Sequence, residues 1–483
     1  MGPRLIIVSN RVAVPDTPRA PLAGGMAVAV KAALKNRRGM WFGWSGKVAE
    51  EPIGEPRAVE VNKIDYVLVD LSKNDIQEYY NGLANSVLWP ILHYRVDLQE
   101  YSRADASGYL RVNRMFADRL SPLLRDDDVV WVHDYHLMVL GRELRSRGHR
   151  NTIGFFLHTP CAPPDILQAL PHHRAILGGL AHYDLVGFQT DNDRDNFAHY
   201  LTTLGAAQVR GGVFKIGSRK VRLGAFPVSI ETKAYMRLAR NAGRSALVDL
   251  VRESLGGSRL VLSVDRLDYS MGIPQRVKAF QQLLESSPEW RGKVTLLQIT
   301  PKSRIEVEQY GEIEAEVTCL IGKVNGRFGD PAWTPIRYVN RSYSRTVLAG
   351  MYRAADVAMV TPLRDGMNLV AKEYLAAQNP DDPGVLVLSQ FAGAAKELDR
   401  ALIVNPHETD VVASTLKRAL EMPLAERRER HGPMLAHLLE NDIRKWAEDY
   451  LSMLVDGPPP RSLLSGIRAL FGVSSDQAPF AIR

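Results

Sequence analysis

The chain has 483 residues, 45% hydrophobic and 24% charged, with a net charge of +7. That length exceeds one ordinary core and calls for two or three domains, and no apolar run is long enough to span a bilayer. Only two cysteines, Cys161 and Cys319, argue against a disulfide framework and fit a reducing cytoplasm.

"RLIIVSNR" is too short and too soon interrupted for a signal peptide; it reads as a buried strand, Leu5–Val8, ending in Asn10-Arg11. "LAGGMAVAVKAAL" (22–34) places Gly24 and Gly25 at a turn opening a helix, where backbone N–H groups can meet a phosphate. Gly-Gly before a helix is more often simple turn chemistry, and no GxGxxG or GxxxxGK[ST] pattern occurs. "YYNGLANSVLWP" (79–90) supplies Tyr80 and Trp89, which stack on a sugar if exposed, although burial is the commoner role. Val129–Val132 reads as a strand running into "HDYH" (133–136); its two imidazoles could in principle serve a metal, but a metal there is the less favoured reading. "HLMVLGRELRSRG" (136–148) has the spaced apolar residues of an amphipathic helix, and strand Ile153–Leu157 ends at His158. "DND" (191–193) resembles a metal-binding DxD but lies at a helix start, so no required metal is expected.

The β-rich stretch 209–231 closes a first half, and strands resume near 258. Leu260–Val264 leads into "RLDYSMGIPQR" (266–276), where Arg266, a turn and a new helix make an anion site. Met271 stands where a second cation would be expected. Val294–Ile299 is followed by Lys302 and Arg304, and Val357–Val360 by Arg364-Asp365. "RDGMNLVAKEYLAAQ" then sets Glu373 about one turn into a helix, and Val385–Leu388 adds another strand. Strands alternating with helices indicate parallel α/β architecture, whose ligands collect outside the carboxyl ends of strands. Six such ends carrying charge or imidazole, in both halves, predict a cleft lined by cations with a few acids. Lysines and arginines are otherwise scattered, and the densest run, "AERRERHG" (425–432), reads as a solvated helix face. Nucleic acid is therefore not an expected partner. After "LVDGPPPRS" (454–462) comes "LLSGIRALFGV", a surface tail or terminal helix, with a subunit contact as the sharper alternative.

Together "SNR", "AGGMAV", "WFGWSG", "EYYNGLANSVLWP", "HDYHL", "GFFLHTP", "GFQTDNDRDNF", "RLDYSMGIPQR" and "TPLRDGMNLVAKEYLAAQ" resemble the trehalose-6-phosphate synthases, from about residue 4 to about 452. The resemblance implies a GT-B fold: two facing Rossmann-like domains around a central cleft. Residues 1–231 would form the acceptor domain, 232–456 the nucleotide-sugar domain with its final helix packing back, and 457–483 a Pro-rich linker and tail. It implies transfer of glucose, with retention, from UDP-glucose or another NDP-glucose to glucose 6-phosphate in the cytoplasm, with no cofactor. Homo-oligomer formation stays open, and neither nucleic acid nor membrane is a partner.

By that resemblance Arg11, Tyr80, Trp89, Asp134 and Arg304 serve the acceptor. Gly24, Gly25, His158, Arg266, Met271, Tyr343, Asp365, Leu369, Val370 and Glu373 serve the donor, and Asp134, His158, Arg266 and Asp365 carry the chemistry. Met271 replaces the Lys of the family pattern. Losing that cation would cost ~3–4 kcal/mol by analogy with an oxyanion donor. Alternatives are a transferase with another phosphorylated acceptor (glycerol 3-phosphate or a cyclitol phosphate) or a catalytically weakened sugar-phosphate sensor.

Overall fold

A computed structural model describes residues 3–15, 30, 33–34, 38–50, 55–209, 211–301 and 308–456. Gly24, Gly25, Lys302, Arg304 and the tail 457–483 lie outside the described residues.

The first half builds a ten-stranded sheet. Its strands are β1 (Leu5–Arg11), β2 (Gly39–Ala49), β3 (Arg57–Val61), β4 (Ile64–Ser72), β5 (Val129–His133), β6 (Thr152–Phe156), β7 (Leu185–Phe188), β8 (Ala207–Gln208), β9 (Val213–Ile216) and β10 (Arg219–Ala225). They run in the order β3-β4-β2-β1-β5-β6-β7-β10-β9-β8. From β4 to β10 every pairing is parallel, and β3, β9 and β8 add antiparallel edges. The second half builds a six-stranded, wholly parallel sheet from β11 (Arg259–Val264), β12 (Val294–Ile299), β13 (Ile336–Val339), β14 (Val357–Val360), β15 (Val385–Ser389) and β16 (Leu402–Val404). Its order, β13-β12-β11-β14-β15-β16, is the 3-2-1-4-5-6 order of a Rossmann sheet, and β4-β2-β1-β5-β6-β7 repeats it in the first half.

Covered faces explain why the strands were legible as unbroken apolar runs: Leu5–Asn10 and all of β12 are buried. The helix Ile273–Ser286 starts where Gly272 takes φ 65 and Pro274 sits in the first turn, and it buries Ile273, Val277, Phe280 and Leu284 along one stripe. "YYNGLANSV" is wound as a π-helix, Ile76–Leu88, a geometry frequent at functional sites. The run 425–432 is less solvated than its charge suggests. His431 is buried with Nε2 against the Leu375 carbonyl, and Arg427 pairs with Asp382.

The final helix, Ile443–Val455, lies on the first sheet. Tyr450 stacks on Trp131 with centroids 4.3 Å apart and donates its hydroxyl to the Phe155 carbonyl. Glycines at 154 and 187 leave room for that ring; a Cβ on Gly154 would fall 2.3 Å from the Tyr450 oxygen.

Candidate functional site

In a Rossmann sheet the ligand crevice opens where strand order reverses. In the first sheet that is between β1 and β5, whose carboxyl ends deliver Asn10-Arg11 and His133-Asp134. Arg11 is exposed and lies over Trp44, 5.7 Å from the ring centroid. Trp44 approaches Tyr80 at 5.8 Å, and Tyr80 stacks on His136 at 5.8 Å with 11° between planes. The π-helix thus presents half-buried Tyr80 beside the strand-end arginine. Asp134 adopts φ 75, a sparsely populated conformation for a non-glycine. Its carboxylate accepts from the backbone N–H groups of Tyr135 and His158 at 3.0 and 3.3 Å.

In the second sheet the reversal lies between β11 and β14. Past β11, half-buried Arg266 pairs with buried Asp268 at 3.3 Å. Past β14, Asp365 accepts a hydrogen bond from Asn368 Nδ2 at 2.9 Å. Asn368, at φ 75, caps the helix Leu369–Ala377 by accepting from the Ala371 N–H. The first-turn N–H groups of Leu369 and Val370 have no intrahelical partner, which suits them to an anion or a base edge. Glu373, on the same helix, faces Arg345 at 3.8 Å. Tyr343 is half-buried and accepts from Arg341 Nε at 3.0 Å.

The two sets meet across the cleft. Arg266 lies over Trp89, 4.4 Å from its centroid, and Arg95 over Tyr269 at 5.6 Å. Arg364 lies over Tyr94 at 4.0 Å. The turn at Gly366 abuts the first half so closely that a Cβ there would fall 2.2 Å from the His158 carbonyl. The Gly366 backbone thus sits against that of His158, and Trp89 is a buried wall (7% exposed) rather than an open stacking platform.

The dense protein shell shifts the titrating groups. Burial pushes the Asp365 carboxyl up to about 6, against the lowering pull of Asn368 and Arg266. Burial pushes Glu373 up to about 7, opposed by Arg345. It drives His158 down to about 3 and His133 well below the usual imidazole range, with His158 adding to the latter shift. Both imidazoles are neutral at pH 7.

Met271 is buried, 6% exposed, in the turn before Gly272. The cation that sequence reasoning missed is Arg276, the last residue of the same stretch. It is fully buried, paired with Asp265 at 2.6 Å, and bonds Thr361, Gln298 and the Met271 carbonyl. Four residues past a helix-starting glycine, it reads from sequence as a surface charge; only the neighbouring strands make it interior. Trp44 was likewise invisible as a site wall, and Arg364, legible as a charged strand end, finds its partner Tyr94 only in the fold, because these partners are distant in sequence. Asp193 of the "DND" stretch accepts from Thr190 Oγ1 and the Cys161 N–H, which binds it into local structure.

Two Rossmann-ordered sheets opposed across a cleft, with arginines and carboxylates at both strand-order reversals, define a GT-B glycosyltransferase. The profile of glycosyltransferase family 20 matches residues 5–456. A trehalose-6-phosphate synthase of Sinorhizobium fredii is 52% identical over 454 residues, spanning 93% of this chain and 98% of the relative. A Burkholderia xenovorans α,α-trehalose-phosphate synthase (UDP-forming), solved in complex with glucose-6-phosphate, superposes with a TM-score of 0.90 at 46% identity, covering 93% of this chain and all of that one. An Escherichia coli structure bound with UDP-2-fluoro glucose gives 0.89 at 45% identity, covering 93% and 98%. This chain belongs to glycosyltransferase family 20.

Proposed function

We propose that the chain transfers glucose from UDP-glucose to glucose 6-phosphate, with retention, giving α,α-trehalose 6-phosphate and UDP. The observation that carries this is near-full-length likeness to one relative holding glucose-6-phosphate and another holding a UDP-sugar analogue. The acceptor pocket is Arg11, Tyr80, Trp89, Asp134 and Arg304; the donor pocket is Gly24, Gly25, His158, Arg266, Tyr343, Asp365, the Leu369–Val370 backbone and Glu373. The bond from the glucose anomeric carbon to the diphosphate breaks as the acceptor's anomeric hydroxyl bonds to that carbon on the same face. The hydroxyl proton passes to the departing diphosphate, whose charge Arg266 and the N-terminus of the Ile273–Ser286 helix stabilise. Catalysis is then mostly positioning plus leaving-group stabilisation. No metal takes part, so chelator leaves the rate unchanged. Two free thiols, Cys161 buried and Cys319 exposed, suit a reducing cytoplasm, and no described helix is long and apolar enough to cross a membrane.

Product analysis with UDP-glucose and GDP-glucose against several sugar phosphates tests the reading. Trehalose 6-phosphate from UDP-glucose plus glucose 6-phosphate is expected. Faster transfer to glycerol 3-phosphate or a cyclitol phosphate would overturn the acceptor. Tight glucose 6-phosphate binding without product would leave a sensor.

A further inference from the structure

His133 and His158 form a buried imidazole pair, Nδ1 of His133 lying 3.1 Å from Nε2 of His158. One of those nitrogens must carry the shared hydrogen, and the choice fixes what His158 offers the cleft. His133 projects from the end of β5 on the same face as Trp131, beneath the final helix, and is fully buried. Its other nitrogen, Nε2, has no hydrogen-bond partner among the described residues. The rings around it are Trp131 at 4.6 Å, Phe156 at 6.5 Å and Trp446 at 6.5 Å. Phe has no polar atom, and the indole N–H groups of Trp131 and Trp446 can only donate.

A hydrogen on Nε2 of His133 would therefore be a buried donor with nothing among the described residues to accept it. A lone pair there is the cheaper orphan. We infer that His133 carries its hydrogen on Nδ1 and donates to Nε2 of His158, which fixes His158 as the Nδ1–H tautomer. Half-buried His158 then carries its one N–H donor on Nδ1, the nitrogen not engaged by His133. In the proposed donor pocket, a sugar hydroxyl meeting this nitrogen can accept from it, while Asp365 accepts from a hydroxyl in turn. His133 is a positioning residue: it touches no substrate and acts through His158. This rests on the proposed donor pocket only for the identity of the hydroxyl.

The test is a long-range 1H–15N spectrum of the full chain labelled at histidine, with His158 assigned by its loss in His158→Gln. The wild-type His158 signal is expected to show a protonated Nδ1 and an unprotonated Nε2; the reverse pattern overturns the inference whether or not the chain transfers glucose. His133→Asn keeps an amide N–H near the position of Nδ1, and His133→Leu removes it. We expect the Asn variant to keep the His158 tautomer and most of kcat. The Leu variant should lose kcat on the order of 10–100-fold with little change in KM for glucose 6-phosphate. Equal losses in the two variants, or a KM effect confined to the acceptor, would count against a tautomer role. Absence of transfer by the wild type would sink the functional reading and leave the spectrum to decide this one.

Discussion

Met271 occupies the last position of the turn Tyr269–Met271, buried, with its carbonyl held by the Arg276 guanidinium. Arg276 is neutralised by Asp265, so it shapes the cradle without adding free charge to a diphosphate. A Lys stem fills about the room of Met, and its ammonium can reach past the stem toward solvent. Met271→Lys is therefore expected to raise kcat about tenfold, or about 1.4 kcal/mol, with a smaller fall in KM for UDP-glucose. A flat kcat beside robust wild-type turnover would show that another cation already serves the leaving group. Glu373 makes a second residue-scale case. Its carboxyl titrates at about 7, above its ordinary value of 4.5, so the folded chain holds a proton that the unfolded chain has released. Stability from this group is thus lost as pH rises through that window. Glu373→Gln should stabilise the ligand-free protein at pH 8 by on the order of 1–3 kcal/mol and hardly at pH 4.5. Thermal melts of both proteins at the two pH values check this.

The helix Leu369–Ala377 depends on its first turn. Asn368 caps it from a left-handed conformation while also holding Asp365. Gly tolerates φ 75 and Ala does not, so the two substitutions separate backbone strain from lost hydrogen bonds. Asn368→Ala should cost about 1–2 kcal/mol in urea unfolding, and Asn368→Gly less. Both should raise the KM for UDP-glucose, because Asp365 loses the bond that orients it. Farther along, Lys372 is wholly buried and joins the Val228 carbonyl to Glu397, which also meets His437. This network ties the helix Leu369–Ala377 to the segment connecting the two sheets.

At the scale of the whole molecule, the chain crosses between halves twice, near 228–232 and near 441–443. The crossings are fastened together by Ile443 N–H to the Ile230 carbonyl and Thr232 Oγ1 to the Leu438 carbonyl. Contacts on the far side include Gly366 against His158, Arg364 over Tyr94, Arg266 over Trp89 and Arg95 over Tyr269. That arrangement suits a hinge with a latch, and the expectation is closure on ligand. Small-angle scattering should show a smaller radius of gyration with UDP plus glucose 6-phosphate than without. In Gly366→Ala the added Cβ collides with the His158 carbonyl. This variant should keep its melting temperature within a few degrees, stay open with ligand, and lose most of its turnover. A variant that still contracts would argue against the latch.

The apolar runs that became β1, β5, β6, β11, β12, β14 and β15 were legible because strands covered on both faces must be continuously hydrophobic. The strand β2 was not, since the glycines and tryptophans of "WFGWSG" obscure a strand pattern. Strand-end residues Arg11, Asp134, His158, Arg266 and Asp365 could be found from sequence alone, because parallel topology fixes where side chains after a strand must point. The ordered motifs likewise determined the family. Which of these residues touch was decided only in three dimensions. The pairing of Arg266 with Trp89, the burial of Arg276 and the His133–His158 bond each join segments far apart in the chain or on different layers. Charge state followed the same division: sequence supplies an Asp, a Glu or a His, and the depth of protein around it decides whether it holds a proton at pH 7.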